Sequence, residues 1–216
     1  MIKNMHLPAF ENLLEKLGES LNEFGFETNY MPISEDQPIP MLDVTVLTED
    51  ELEEGEEPDE LSEEDDIITA QLFISEVPNS ESPEFINLQI MIPVYINFDD
   101  VDEGNEDEDE DEADETFFHI LVALPHINNR IPYGFFSMTM DNSIVYRATV
   151  PGWLSDEFNP ELVNGVLDSA FFAVYEFGDI LSALADNEIT LENAMAYLYD
   201  MEEELLDGIE DEDDEK

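Results

Sequence analysis

Apolar residues recur every three to four positions at the start of the chain. Leu7, Phe10, Leu13, Leu14, Leu17, Leu21 and Phe24 form one stripe, which predicts an amphipathic helix. Pro8 suits its first turn, where the N–H would have no partner anyway, and Gly25 suits a left-handed stop. The opposite face carries Glu11, Glu15, Glu19 and Glu23 at four-residue spacing, with Lys16 the one cation nearby. Like charges so placed cost roughly a few tenths of a kcal/mol per pair. Such a face reads as solvated and tolerated because the other side is packed; the alternative is a strip that receives a basic partner.

The period then drops to two. Leu42, Val44 and Val46 share a face within 41–48, and Ile68, Ala70, Leu72 and Ile74 share one within 67–76. Strand material is expected over 27–48 as a whole. Residues 85–98 are apolar on both sides, with Leu88, Ile90, Met91, Ile92, Val94, Tyr95 and Ile96. That predicts a central strand covered on both faces, with a bulge or break at Pro93, which lacks a ladder donor. Phe118, Ile120, Val122 and Leu124 alternate in 116–124 and predict another strand. A turn region from Pro125 to Pro132 leads into a strand over Tyr133–Met140, and Asp141-Asn142-Ser143 predicts a tight turn before Ile144–Val150.

The last third returns to helical spacing. Asn159-Pro160-Glu161 supplies an N-cap, a proline in the first turn and an acid beside the helix N-terminus. Leu162/Val163, Val166/Leu167, Ala170/Phe171 and Val174/Tyr175 make a wide stripe, and Ile180, Leu181 and Leu184 extend it past Gly178. Thr190 caps a second helix, with Leu191, Ala194, Met195, Leu198, Met201 and Leu205 on its inner face. The expected class is α+β: an antiparallel sheet of about five to seven strands flanked by an N-terminal helix and one or two C-terminal helices. A single domain is expected over 1–207, followed by an acidic disordered tail over 208–216.

Charge changes this picture. The chain of 216 residues has a formal net charge of −53. Thirteen acids lie in 49–66, thirteen in 99–115 and eleven in 200–215, so 37 of the 58 acids occupy 51 positions. The first two runs fall between predicted strands and read as long exposed acidic loops inserted in the domain. Hydrophobic residues still make up 43% of the chain, enough for a core. The basic side chains are Lys3, Lys16, Arg130, Arg147 and Lys216. Five scattered cations cannot neutralise a row of phosphates, which argues against direct nucleic-acid binding, and anionic membrane would repel the chain. A partner steered by charge is expected to be basic, or a cation. With no cysteine, disulfides, thiolate metal sites and cysteine catalysis are absent. The opening Met1–His6 has no apolar core of a secretory signal, and no apolar run approaches the ~18 residues of a transmembrane helix. A cytoplasmic location is expected.

Candidate chemistry is sparse. On a strand, His119 and His126 are an odd distance apart and would face opposite ways, while His6 sits near the terminus. The acidic loop 99–110 fails as an EF-hand: with Gly104 at the sixth position, Val101 falls on the third and Glu103 on the fifth. Exposed carboxylates are too many to single out an acid–base pair. The chain lacks a phosphate-cradling glycine loop, a G-x-S-x-G and an H-E-x-x-H. A non-enzymatic protein is expected, with no cofactor, no metal and no catalytic residue. Adjacent aromatic pairs, Phe117/Phe118, Phe135/Phe136 and Phe171/Phe172, would place one ring on each face of a strand. They fit a sheet with one face under helices and the other partly exposed or paired with a second subunit. Trp153, after Pro151-Gly152, is expected to plug the strand-to-helix turn.

The stretch from Phe117 to about Ala185 resembles the YbjN-like family, which has the type III secretion chaperone-like fold. Asn128, Pro132, Gly134 and Phe136 read as an N-x-x-x-P-x-G-x-F connection into a hairpin; Tyr146-Arg147 lies on the return strand, and the long helix starts at Pro160. The acidic loops, the strand material at 27–48 and the second C-terminal helix depart from the family pattern. The resemblance implies a small bacterial α+β domain, often a homodimer, that acts by binding other proteins. It supplies no catalytic residues. The expected function is therefore a non-enzymatic protein-binding domain, chaperone-like or adaptor. The alternative is an acidic polyanion that binds or masks a basic partner, as an immunity protein or nucleic-acid mimic does. Acid enrichment as adaptation to high ionic strength is a third reading of the charge alone.

Overall fold

The computed structural model describes residues 6–34, 37–47, 67–77, 82, 84–94, 110–139 and 143–199. The expectations for the acidic stretches 49–66, 99–109 and 200–216, and for Tyr95 and Ile96, lie outside the described residues. In chain order the elements are α1 (Leu7–Glu23), β1 (Glu27–Met31), β2 (Met41–Leu47), β3 (Ile67–Glu76), β4 (Phe85–Val94), α2 (Glu110–Asn128), β5 (Phe135–Met138), β6 (Ile144–Trp153) and α3 (Pro160–Ala185). A short helix, α4, follows over 191–199. The strands form one six-stranded antiparallel sheet in the order β1-β2-β3-β4-β6-β5, and the class is α+β as expected. Contacts group the chain into two compact units, Met1–Pro93 with Val145–Phe172, and Val94–Ile144 with Ala173–Lys216.

In the first unit, α1 buries Phe10, Leu13, Leu14, Leu17 and Leu21 and lies on β1 and β2. Gly25 ends it at φ +98°, a left-handed turn that a side chain would strain. Gly18 sets how closely helix and sheet approach, since a Cβ there would stand 3.0 Å from Leu42 Cδ1. The strands alternate as read. Leu42 and Val44 on β2, Ala70, Leu72 and Ile74 on β3, and Ile86, Leu88, Ile90 and Ile92 on β4 are buried. Each fully buried Leu or Ile contributes roughly 1.5–3 kcal/mol over an exposed one, so this row adds substantially to the unit's cohesion.

The central strand departs from expectation in two ways. Its buried face alternates with positions only half-buried, from Phe85 to Pro93, so it is not sealed on both sides. Pro93 does not break it; the strand runs to Val94, and the β3 pairing, Gln71↔Met91 to Glu76↔Ile86, has already ended. On the β3 side the missing N–H of Pro93 therefore costs no ladder bond. At the end of β6 the expected plug also changes identity. Trp153 is 47% exposed, while Phe158 is buried against Gly152, where a Cβ would come within 2.5 Å of its ring. Asn159 caps α3 as predicted, its Oδ1 accepting from the backbone N–H of Glu161 at 3.0 Å and of Leu162 at 3.3 Å.

The second unit holds the largest correction. Residues 116–124 are not a strand but part of α2, which also takes 110–115 out of the expected loop. Thr116, Ile120, Ala123, Leu124 and Ile127 are the buried positions, at a helical spacing. The strand reading arose because Phe118, 59% exposed, and half-buried Val122 alternate with the buried Ile120 and Leu124, so four apolar residues fall two apart. Asn128 closes α2 by a two-way contact: its Nδ2 donates to Phe136 O at 2.9 Å and its Oδ1 accepts from Phe136 N at 2.7 Å. The connection into β5 therefore starts from a helix, turns through Gly134 at φ +83°, and enters β5 at Phe135 rather than Tyr133. α3 runs through Gly178 to Ala185, and just beyond it Asn187 takes a left-handed φ of 56°, which lets Glu188 N bond Ala183 O at 2.9 Å. Thr190 Oγ1 then caps α4 by accepting from Asn193 N at 3.2 Å.

Candidate functional site

Strand alternation leaves the first unit with a second sheet face. It carries Glu27 and Asn29 on β1, Asp43 and Thr45 on β2, Thr69, Gln71, Phe73 and Ser75 on β3, Asn87, Gln89 and Met91 on β4, and Arg147 and Thr149 on β6. The β2–β4 residues of this face are half-buried, while Leu42, Val44, Ala70, Leu72, Ile74, Ile86, Leu88, Ile90 and Ile92 on the opposite face are buried. Thr45 and Thr69 hydroxyls lie 3.1 Å apart across the ladder. Gln89 works in both directions, its Nε2 donating to Ser75 Oγ at 3.0 Å and its Oε1 accepting from Thr149 Oγ1 at 3.1 Å. These bonds hold neutral amides and hydroxyls in fixed positions. Phe85 and Trp153 pack at one end, ring centroids 5.2 Å apart.

Charge is nearly missing from this face. Glu27, Asp43 and Arg147 are its charged members, in a chain of −53. Asp43 Oδ1 and Arg147 Nε are buried without a hydrogen-bond partner among the described residues, and burial pushes the Asp43 carboxyl above its ordinary pKa.

The acidic strip of α1 is also in place. Glu15, Glu19 and Glu23 are exposed, and Lys16 pairs with Glu157 at 2.6 Å. Burial and the Glu11 and Glu15 carboxylates push the Tyr30 hydroxyl up to about 12.

The histidines stand differently from the strand reading. His119 and His126 are seven apart on helix α2, hence on one side of it. His126 lies edge-on to Tyr199 at 6.3 Å, and its carbonyl accepts from Arg130 Nη1 at 2.6 Å. His6 precedes α1 and sits 6.4 Å from the Phe10 ring. No three His, Asp or Glu groups could hold a metal ion among the described residues. Of the residues quoted for the family resemblance, Asn128 and Phe136 are joined as described, and Tyr146 is buried, its hydroxyl pushed up to about 12 by that burial.

A cleft of ≈ 380 Å³ in the second unit was not foreseen. It lies between the C-terminal half of α3 and α4, with Ile180, Ala183, Ile189 and Ala194 as its floor and Tyr175, Glu176, Asp179, Asn193 and Tyr197 around it. The sequence placed both helices but not the angle between them, so nothing in it marked the cleft. The sheet face did have a signal: Gln71, Ser75 and Gln89 are uncharged polar residues alternating with apolar ones in an otherwise acid-rich chain.

Among the described residues no helix is long and apolar enough to cross a membrane. The arrangement defines the chain as an α+β protein with a charge-poor sheet face. No family model matches it, and no curated protein matches it.

Proposed function

We propose that this is a non-enzymatic protein-binding domain, chaperone-like or adaptor in kind, that holds a polypeptide partner on the second face of its sheet. One observation carries the reading: a half-buried, nearly uncharged face persists in a chain of −53. If charge served only solubility, this face would be as acidic as the rest. The resemblance to YbjN-like proteins points the same way, and a second copy of the chain is one partner it suggests. A cytoplasmic setting accords with the absence of cysteine.

Trp153 is the chain's one tryptophan and stands at the edge of this face, so its emission reports on occupancy. The test is affinity capture at low and at about 300 mM salt, where the Debye length falls below ~8 Å, with the wild type and with Phe73→Asp/Gln89→Lys. A partner kept at both salts by the wild type, lost by the variant, and shifting Trp153 emission is the expected result. Capture that vanishes with salt and ignores the variant would replace this reading with the polyanion one, which the exposed Glu15–Glu19–Glu23 strip favours.

A further inference from the structure

The cleft between α3 and α4 combines three features that suit one chemistry. Its floor is aliphatic: Ile180, Ala183, Ile189 and Ala194. Tyr175 and Tyr197 stand at its sides, each about half exposed. Glu176 and Asp179, one turn apart on α3, bring two carboxylates to the same opening. The Tyr197 hydroxyl donates to Glu176 Oε1 at 3.0 Å, which fixes that carboxylate and leaves its second oxygen available. Neither carboxylate is paired with a basic side chain among the described residues. Arg130, the one described cation of this unit, donates instead to the carbonyls of His126 and Leu198.

An apolar cleft that meant only to bury surface would not keep two carboxylates at its opening. An anion would be repelled, and a neutral apolar ligand would leave both negative charges uncompensated. A side chain with an aliphatic stem and a cationic head satisfies every part: stem on the floor, head between the acids, and the tyrosine faces beside it. The volume lies at the lower end of the ~300–1,000 Å³ typical of ligand clefts, enough for a single long side chain. The charge of the chain adds long-range attraction for the same class of partner.

We propose that this cleft receives an arginine or lysine side chain from a basic segment of a partner protein. The site is separate from the sheet face, and the proposal does not depend on it.

The difficulty in testing it is that a chain of −53 attracts any cation, so the comparison must hold net charge constant. Binding of a fluorescent tetra-arginine peptide is measured for the wild type, for Glu176→Gln/Asp179→Asn, and for Glu15→Gln/Glu19→Gln on α1. Both doubles remove two of the 58 acids. The cleft double should weaken binding at least about ten-fold, the loss expected for charge-assisted hydrogen bonds, while the α1 double leaves it within about two-fold. Tyr175→Ala should cost roughly two- to five-fold, the size of an exposed cation–π contact. A peptide with citrulline for arginine should not bind. Equal weakening by the two doubles, or none by either, overturns the proposal, since the peptide then sees only diffuse charge. Light scattering supplies the other check: a wild-type dimer that the cleft double dissociates would mean a second copy fills the cleft, and would also overturn it. Loss of sheet-face capture in Phe73→Asp/Gln89→Lys leaves the peptide result unchanged, so the two readings fail separately.

Discussion

Asp43 sits in a cross-strand row between Asn29 and Gln71, and burial raises its pKa above the ordinary 3.8. Because the folded value is the higher one, the folded chain holds this proton more tightly than the unfolded chain does. The group therefore destabilises the fold at neutral pH, where it must ionise, and that penalty fades as pH falls through the raised value toward the ordinary one. Replacing it with asparagine should raise the urea midpoint at pH 7, and the gain should shrink through the acid range and disappear about one pH unit below the ordinary value of 3.8. Urea melts of both proteins across pH decide it; a gain that is constant with pH would place the effect in packing rather than in ionisation. Gln89 shows how a single side chain can matter differently. Its amide is used at both ends, by Ser75 and Thr149, so it orients three strands' surface groups without contributing charge.

At the scale of elements, α2 is the test of how pattern becomes structure. Both a strand and a helix reading bury Ile120, but they disagree about Phe118. On a strand Phe118 would share the buried face with Ile120; on α2 it lies outward while Ile120 is fully buried. Ile120→Ala should cost about 2–5 kcal/mol, as for other large-to-small changes in a core. Phe118→Ser should stay within roughly 0.5 kcal/mol, as exposed substitutions do. Chemical denaturation of the two variants separates the cases, and a large loss from Phe118→Ser would overturn the helix. The same element explains why the hairpin entry was only partly read. Asn128 was singled out from the sequence, yet its role, bridging the end of a helix to the N–H and C=O of Phe136, needs the helix to exist first.

At the scale of the molecule, charge and fold act against each other. Fifty-three net negative charges repel within a compact chain, and the glutamates of α1 are stacked at the spacing that repels most on a helix. Salt should relieve this. Raising NaCl from about 20 to about 500 mM shortens the Debye length from ~20 Å to ~4 Å, and the melting temperature should rise by at least ~4 °C, equivalent to a ~1–2 kcal/mol gain in a chain of this size. KCl should act equally, since screening does not depend on which monovalent cation supplies it. A flat response would mean that the acids repel one another too weakly to matter.

Local residue order was enough for the helix stripe of α1 and its Gly25 stop, the alternation of β2, β3 and β4, the caps at Asn159 and Thr190, and the α+β class. Each of these depends on neighbours a few residues apart, where periodicity and backbone preference act directly. Long-range packing set the rest. It made a helix of 116–124, because burial of Thr116, Ile120, Ala123, Leu124 and Ile127 outweighs the outward cost of Phe118 and Leu121. It exchanged Trp153 for Phe158 at the turn, because only Phe158 fills the space that Gly152 leaves open. It also formed the α3–α4 cleft, whose tyrosines and carboxylates meet through the turn at Asn187. Local pattern reports which side of an element is apolar; which partner covers that side depends on residues far away in the chain.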